Sequence, residues 1–245
     1  MSSPFINITI PVFNEERQLA ESVCKLHRFL AEHCQFRFEI VIANNGSTDR
    51  TQEVAEQLCR AQSVGRVVCL QEKGRGRAVK RTWTEATADV LSYMDVDLST
   101  GLDAFSPMIR ALTSGEFDLA IGSRLRAGSI TKRSLHREVI SRCYNRLVRF
   151  AFSTNFSDAQ CGFKAITKEA AQRLLPVIED NGWFFDTELL AIAEKSGYRI
   201  FDMPVQWTED PDSRVKIIST AWADVQGIIR VRRSLRSGKY ASSRR

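Results

Sequence analysis

This sequence predicts an α/β fold in which a mostly parallel central sheet carries helices on both faces. Two observations lead there. Short apolar runs at 6–13 (INITIPVF), 39–43 (EIVIA), 66–70 (RVVCL) and 90–94 (VLSYM) read as strands, and the segments between the first three carry helical patterning, so strand and helix alternate. With 245 residues, 43% of them hydrophobic, the chain can bury a sizeable core as one large domain or two small ones. In such sheets ligands sit beyond the carboxyl ends of the strands, which places the loops after Phe13, Ala43, Leu70 and Met94 along one rim.

In chain order, a proline marks the end of the first strand, and Glu15 and Glu16 suit the start of a helix that Leu19, Val23, Leu26 and Leu30 carry to about His33. The second strand runs into the turn cluster Asn44-Asn45-Gly46-Ser47-Thr48-Asp49, with a helix over 50–61 behind it. Lys73-Gly74-Arg75-Gly76-Arg77 fills the third rim loop ahead of a helix reaching Thr87. Its glycines would let backbone N–H groups approach phosphate oxygens, although flexible basic turns are common. Residues 119–124 (LAIGSR) form a further strand and put Arg124 at the rim. The stretch 124–149 holds eight Lys or Arg against the single acid Glu138; it is either a solvated helix face or one that presents Arg137, Ser141 and Asn145 together at four-residue steps. Residues 155–164 read as a polar loop around Asp158, and 170–177 and 187–193 as helices. The aromatic group Trp183, Phe184, Phe185 between them reads as core or as a substrate wall. A last strand spans 199–207, a loop follows through Arg214, and 217–229 carries an apolar helical stripe that merges into an Arg-rich tail.

The chemistry centres on Val90 to Gly101, VLSYMDVDLSTG. Alternate strand residues share a face, so Asp95 and Asp97 are expected on one side where the strand emerges. Two carboxylates that close repel unless something positive lies between them. A divalent cation with oxygen ligands, Mg²⁺ or Mn²⁺, fits and leaves coordination sites for phosphate oxygens. The alternative is a polar strand end facing water.

Net charge is +6, and its placement matters more than its size. From Ile228 onward there are seven basic residues and no acid, which leaves the rest of the chain near neutrality. That pattern argues for a local anionic contact and against a nucleic-acid-coating surface. The longest uncharged stretch, Met1 to Asn14, is too short to span a bilayer and lacks the basic start of a secretory signal, so a cytosolic location is expected. Six cysteines without a C-x-x-C pair read as reduced and mostly packed.

The motifs taken in order, IPVFNEE, NNGSTDRT, KGRGRA, YMDVDLS, AIGSR, DAQCGFK, WFFDTELL and VQWTEDPDSRV, resemble family 2 glycosyltransferases of the GT-A fold. The resemblance is to the polyprenyl-phosphate branch that includes the dolichol-phosphate mannose synthases and dolichyl-phosphate glucosyltransferases. It covers roughly Ile6 to Lys216 and implies a GT-A domain over 1–216, followed by an amphipathic, basic helix and tail over 217–245. It also implies an inverting transfer of a hexose from a nucleotide diphosphate sugar to a polyprenyl monophosphate. UDP-glucose stands slightly ahead of GDP-mannose, by analogy alone.

By that resemblance Pro11, Phe13 and Glu15 would hold the nucleoside, with Asn44 and Asn45 at the base, Lys73 and Gly74 near the diphosphate, and Asp95 and Asp97 on the metal. Arg124, Arg137 and Ser141, with Arg214 and Lys216, match positions that grip the lipid phosphate, and Asp158 matches an acid discussed as base or positioner. Orientation is the role expected of it here. The chain departs from the family pattern in carrying Asn44-Asn45 for Asp-Asp, Ser99 where a Gln metal ligand is frequent, and Gly101 for an acid. A lipid acceptor implies peripheral attachment to an anionic, cytoplasmic membrane face through Trp222 to Arg245 and the Arg-rich helix around Arg137, and leaves room for a separate membrane-embedded partner. The competing readings are transfer to a glycan or protein hydroxyl, and a nucleotide-sugar-binding subunit without turnover.

Overall fold

The structure is a computed structural model and describes residues 3–61, 63–209 and 217–240. Strands β1 (Phe5–Val12), β2 (Arg37–Asn45), β3 (Arg66–Leu70) and β4 (Val90–Met94) pair in parallel, with Ile8 opposite both Ile40 and Ser92. Helices α1 (Leu19–His33), α2 (Thr51–Arg60) and α3 (Arg75–Glu85) make the crossovers. The expected α/β architecture and the single rim of loops are therefore both present.

The second half of the sheet adds β5 (Leu119–Ser123), β7 (Phe163–Thr167) and β8 (Ile200–Pro204), in the order β3-β2-β1-β4-β7-β5-β8. Strand β7 lies antiparallel between β4 and β5. The polar loop expected over 155–164 thus ends earlier, because Phe163 and Lys164 already belong to a buried strand. Lys164 masks that strand in the sequence, since a lysine is almost never fully buried unless paired. The single strand expected over 199–207 is two strands. Pro204 ends β8; Val205 then donates to the Ser123 carbonyl and accepts from Ile130, which turns the chain into β9 (Gln206–Thr208) beside β6 (Ile130–Lys132). Between β4 and β5, where no element is apparent from the sequence, lie a 3-10 turn (Leu102–Ala104) and α4 (Phe105–Thr113).

Side chains alternate between two cores, one on each face of the sheet. Val90 and Met94 of β4, Ala120 of β5, and Phe163 and Ala165 of β7 join Ile6, Ile8 and Ile10 under α1 and α4. Leu91, Tyr93, Leu119, Ile121 and Ile166 enter the opposite core with α5 (Leu135–Phe152), α6 (Lys168–Leu174), α7 (Phe185–Lys195) and α8 (Ile217–Arg236). Phe184 and Phe185 belong to that second core, whereas Trp183 is about half exposed.

Helix α8 enters this core through Ile228 and Val231, and Arg230 forms a two-point ion pair with the buried Glu188 at 2.8 and 3.0 Å. On the same helix Asp224 is buried with Oδ1 lacking a hydrogen-bond partner, and burial, assisted by Asp180, pushes its carboxyl up to about 7. A carboxyl raised above its unfolded value destabilises the fold progressively from about pH 4 to pH 7. Asp224→Asn is therefore expected to melt like wild type near pH 4 and several degrees higher at pH 8, as followed by circular dichroism. Among the described residues no helix is long and apolar enough to cross a membrane.

Candidate functional site

The first three rim loops are tied to one another by side chains. Asn14, with φ 58°, donates its N–H to Ser47 Oγ at 3.0 Å and accepts the Thr48 N–H on Oδ1 at 2.8 Å. The Glu15 N–H reaches Thr51 Oγ1 at 2.8 Å. Pro11 and Phe13 stand at the end of β1, with Lys73 Nζ 3.6 Å from the Phe13 ring centroid, a cation–π contact. Asn44 accepts the Ser47 N–H and donates to Gln52 Oε1 at 2.7 Å, while Asn45 Oδ1 holds the Gly74 N–H at 2.6 Å. Both asparagines thus already brace the rim. Each amide oxygen keeps a second lone pair.

The G-x-G turn does something other than the sequence suggests. The Gly74 N–H goes to Asn45, the Gly76 N–H to the Gly182 carbonyl, and the Arg77 N–H to the Asn181 carbonyl. A Cβ on Gly74 would fall 2.5 Å from the Asn181 carbonyl oxygen, and one on Gly76 would fall 2.5 Å from Phe185 Cβ. The glycines permit α3 to pack against the segment leading into α7, and those three N–H groups are not aimed at a phosphate.

That packing delivers Arg75. Its guanidinium sits between Asp186, at 2.5 Å, and Asp95, at 2.7 Å, flanked by the rings of Tyr93 and Trp183. Burial alone would lower its pKa, but Asp95 and Asp186 outweigh burial and hold it well above the ordinary value. Asp186 also bonds Tyr93 Oη and pairs with the buried Lys164 at 3.3 Å. Burial opposes the charge on Asp186, yet Lys164 and Arg75 together keep its carboxyl below the usual range.

Strand β4 stops at Met94, so the alternation argument does not place the two acids. A turn does: the Leu98 N–H bonds the Asp95 carbonyl at 3.1 Å, with Leu98 at φ 48°. The turn sets Asp95, Asp97, Ser99 and Thr100 around one small cleft with Gly162, Phe163 and Trp207. Asp97 Oδ1 accepts the Ser99 N–H at 2.9 Å. Gly162 lies flat against Asp95: a Cβ there would stand 1.6 Å from Oδ2. Among the described residues no group of three or more side chains could cage a metal by itself. Two carboxylates on an open cleft instead suit a hard cation that completes its shell with oxygens from a nucleotide. Gly162→Ala is expected to push the Asp95 carboxylate aside and reduce turnover roughly 10²-fold, since a displacement of about 1 Å is enough for that; titration with Mn²⁺ and UDP would register the damage directly.

Beside the cleft, Arg124 Nε and Nη2 donate to Asp158 Oδ2 and Oδ1 at 2.7 and 2.9 Å, and its backbone N–H adds a third bond. The pair is buried. Burial pushes the Asp158 carboxyl up, but Arg124 reverses this and holds it at about 2. Trp207 connects the two halves, lining the cleft while its ring lies 5.4 Å from the Arg124 guanidinium. Helix α5 covers Asp158 with Asn145, and one turn earlier Ser141 Oγ is buried without a hydrogen-bond partner. Arg137, another turn back, pairs with Glu209 at 2.8 Å. Arg214 and Lys216 lie outside the described residues.

The structure therefore gathers Asp95, Asp97, Asp158, Arg124 and Ser141 on one side of the rim and Phe13, Asn44, Asn45, Lys73 and Gly74 on the other. Sequence reasoning missed Gly162, Lys164, Asp186 and Trp207 as parts of the site and left Arg75 as a loop cation. The signal available was Lys164 itself, a charge inside the apolar run FKAIT, which demands a buried counter-ion.

Comparison with known proteins bears on the family and the fold. The family model "Glycosyl transferase family 2" matches residues 7–175. Glycosyltransferase AglD of Haloferax volcanii is 35% identical over 218 residues, covering 87% of this chain and 34% of its own length. The dolichyl-phosphate beta-glucosyltransferase ALG5C of Trichomonas vaginalis is 30% identical over 227 residues, covering 88% and 67%, and the mouse dolichyl-phosphate beta-glucosyltransferase is 30% identical over 228 residues, covering 86% and 69%. This chain thus spans about a third of the Haloferax protein. Among solved structures, glucosyl-3-phosphoglycerate synthase of Mycobacterium tuberculosis with Mn²⁺ and UDP-glucose superposes with a TM-score of 0.67 at 17% identity, covering 94% of this chain and 79% of its own, which establishes the shared GT-A fold. With a family model spanning more than half its length and relatives at 30% identity or better, this chain belongs to glycosyl transferase family 2.

Proposed function

We propose that the protein transfers glucose from UDP-glucose to a polyprenyl monophosphate at an anionic membrane surface. The observation that carries this reading is the state of the buried acids beside the cleft. Asp158 is locked by two points to Arg124, and Asp186 is shared by Arg75 and Lys164. A hydroxyl acceptor needs a general base, whereas a phosphate monoester has a second pKa of about 6 and is largely dianionic at neutral pH. A site whose neighbouring carboxylates are neutralised by cations suits the second kind of acceptor. The names of the glucosyltransferase relatives support glucose and a dolichyl-type phosphate.

In this reading Asp95 and Asp97 would hold Mg²⁺ or Mn²⁺, which supplies positive charge to the diphosphate leaving group. Lys73 stands by the diphosphate, and Pro11, Phe13, Glu15, Asn44 and Asn45 form the nucleoside side. Arg124, fixed in orientation by Asp158, presents its remaining guanidinium edge to the acceptor phosphate, with Ser141 and Arg137 on the facing helix. An acceptor oxygen attacks the anomeric carbon as the bond to UDP breaks, the configuration inverts, and no proton moves. Asp158 orients and takes none.

The outer faces of α5 and α8 support a bilayer contact. Leu135, Val139 and Phe150 are exposed along α5 together with Arg142, Arg146 and Arg149, and Trp222 and Ile229 are exposed along α8 ahead of Arg232, Arg233 and Arg236. Apolar side chains flanked by arginines are what an interfacial helix needs, at about 1 kcal/mol per cation near an anionic leaflet. The face is assigned as cytoplasmic, where nucleotide sugars and anionic lipids meet, and a membrane-embedded partner could share it.

The test is an assay with labelled UDP-glucose, Mn²⁺ and dolichyl phosphate in vesicles with or without anionic lipid. The expected product is a labelled glycolipid, formed faster on anionic vesicles and not from GDP-mannose. Labelling of a soluble glycan or peptide with none of the lipid would overturn the proposal.

A further inference from the structure

We propose that Arg75 is a positioning residue that makes divalent-metal binding conditional on the nucleotide diphosphate. The inference rests on the reading of Asp95 and Asp97 as the metal's ligands. Arg75 begins α3, and its side chain is nearly buried, anchored on Asp186 and packed between the rings of Tyr93 and Trp183. From that fixed position its Nη2 occupies Asp95 Oδ1 at 2.7 Å. Lys164 shares Asp186, so two cations stand against the two carboxylates of Asp95 and Asp186, and this cluster is already neutral without a metal.

The consequence is electrostatic. A divalent cation approaching the cleft alone meets an Asp95 whose charge is cancelled by an adjacent guanidinium, and the two cations repel at short range. A nucleotide diphosphate changes the balance because its oxygens can face both the metal and Arg75. Metal and nucleotide therefore enter as a pair, and an ion without donor is held weakly. Gly162, by lacking a Cβ that would stand 1.6 Å from Asp95 Oδ2, leaves the carboxylate the room it occupies beside Arg75.

The experiment measures Mn²⁺ binding by electron paramagnetic resonance, with no acceptor and no turnover, in the presence and absence of UDP. In wild type, Mn²⁺ alone is expected to bind at least roughly tenfold more weakly than with saturating UDP. Arg75→Met should tighten Mn²⁺ alone by roughly tenfold and weaken UDP, shrinking the coupling, whereas Arg75→Lys, which keeps the charge but not the two-point fork, should retain part of it. A purely structural Arg75 would give the opposite sign, because a disordered Asp95 binds metal less well. Tight binding of Mn²⁺ alone to wild type overturns the inference while leaving the metal site intact, and this measurement stands even if Arg75→Met fails to fold. Absence of Mn²⁺ binding with UDP present overturns both the inference and the metal reading beneath it.

Discussion

Asp97→Ala is expected to lower turnover by roughly 10³-fold or more while the protein still folds. Asp97 sits in the turn after β4, lines the cleft and is only partly buried, with Oδ1 accepting the Ser99 N–H. Removing its carboxylate leaves the cleft with Asp95 alone, whose charge is already engaged by Arg75. The variant should melt close to wild type and lose the stabilisation that Mn²⁺ with UDP confers on the intact protein. A variant that turns over at near the wild-type rate would remove the acid pair from the mechanism.

The second large effect is at Asp158. Asp158→Ala leaves the Arg124 guanidinium buried without its counter-ion, a loss of about 3–5 kcal/mol for pairs of this kind. Because the carboxyl is held at about 2 in the fold, below its unfolded value near 3.9, its contribution is complete above about pH 4 and lost as the pH falls toward 2. Wild type and variant should therefore converge in stability at strongly acid pH and separate above pH 4. Activity should fall with it, and the cause can be distinguished with Asp158→Asn. If Asp158 positions Arg124, the surviving activity of Asp158→Asn keeps a pH profile whose acid limb lies near the acceptor phosphate's second pKa of about 6. An acid limb present in wild type and absent from Asp158→Asn would belong to Asp158 and not to the phosphate, and would show that Asp158 takes a proton.

How much of this was legible beforehand depends on the range of the interactions involved. The parallel half of the sheet is local in pattern: Ile6, Ile8 and Ile10 alternate, Leu19 to Leu30 recur at helical spacing, and the strand boundaries came within a few residues of those observed. The acid pair was visible for the same reason, although by way of strand geometry that ends one residue too early to apply. What could not be read were contacts made across the chain. Lys164 hides β7 because its counter-ion Asp186 lies 22 positions away on another element, and Pro204 and Val205 divide one apolar run between two sheets. The glycines of the KGRGR turn looked like a phosphate cradle, yet they serve the close packing of α3 against residues 181–185, which only the tertiary structure shows.

Anomalous diffraction from crystals grown with Mn²⁺ and UDP-glucose tests the central claim most directly. The account predicts a peak in the cleft bounded by Asp95, Asp97 and Gly162, within about 2.0–2.3 Å of carboxylate and diphosphate oxygens. UDP-glucose bound along this rim with no metal signal at Asp97, or a peak elsewhere on the protein, would contradict it.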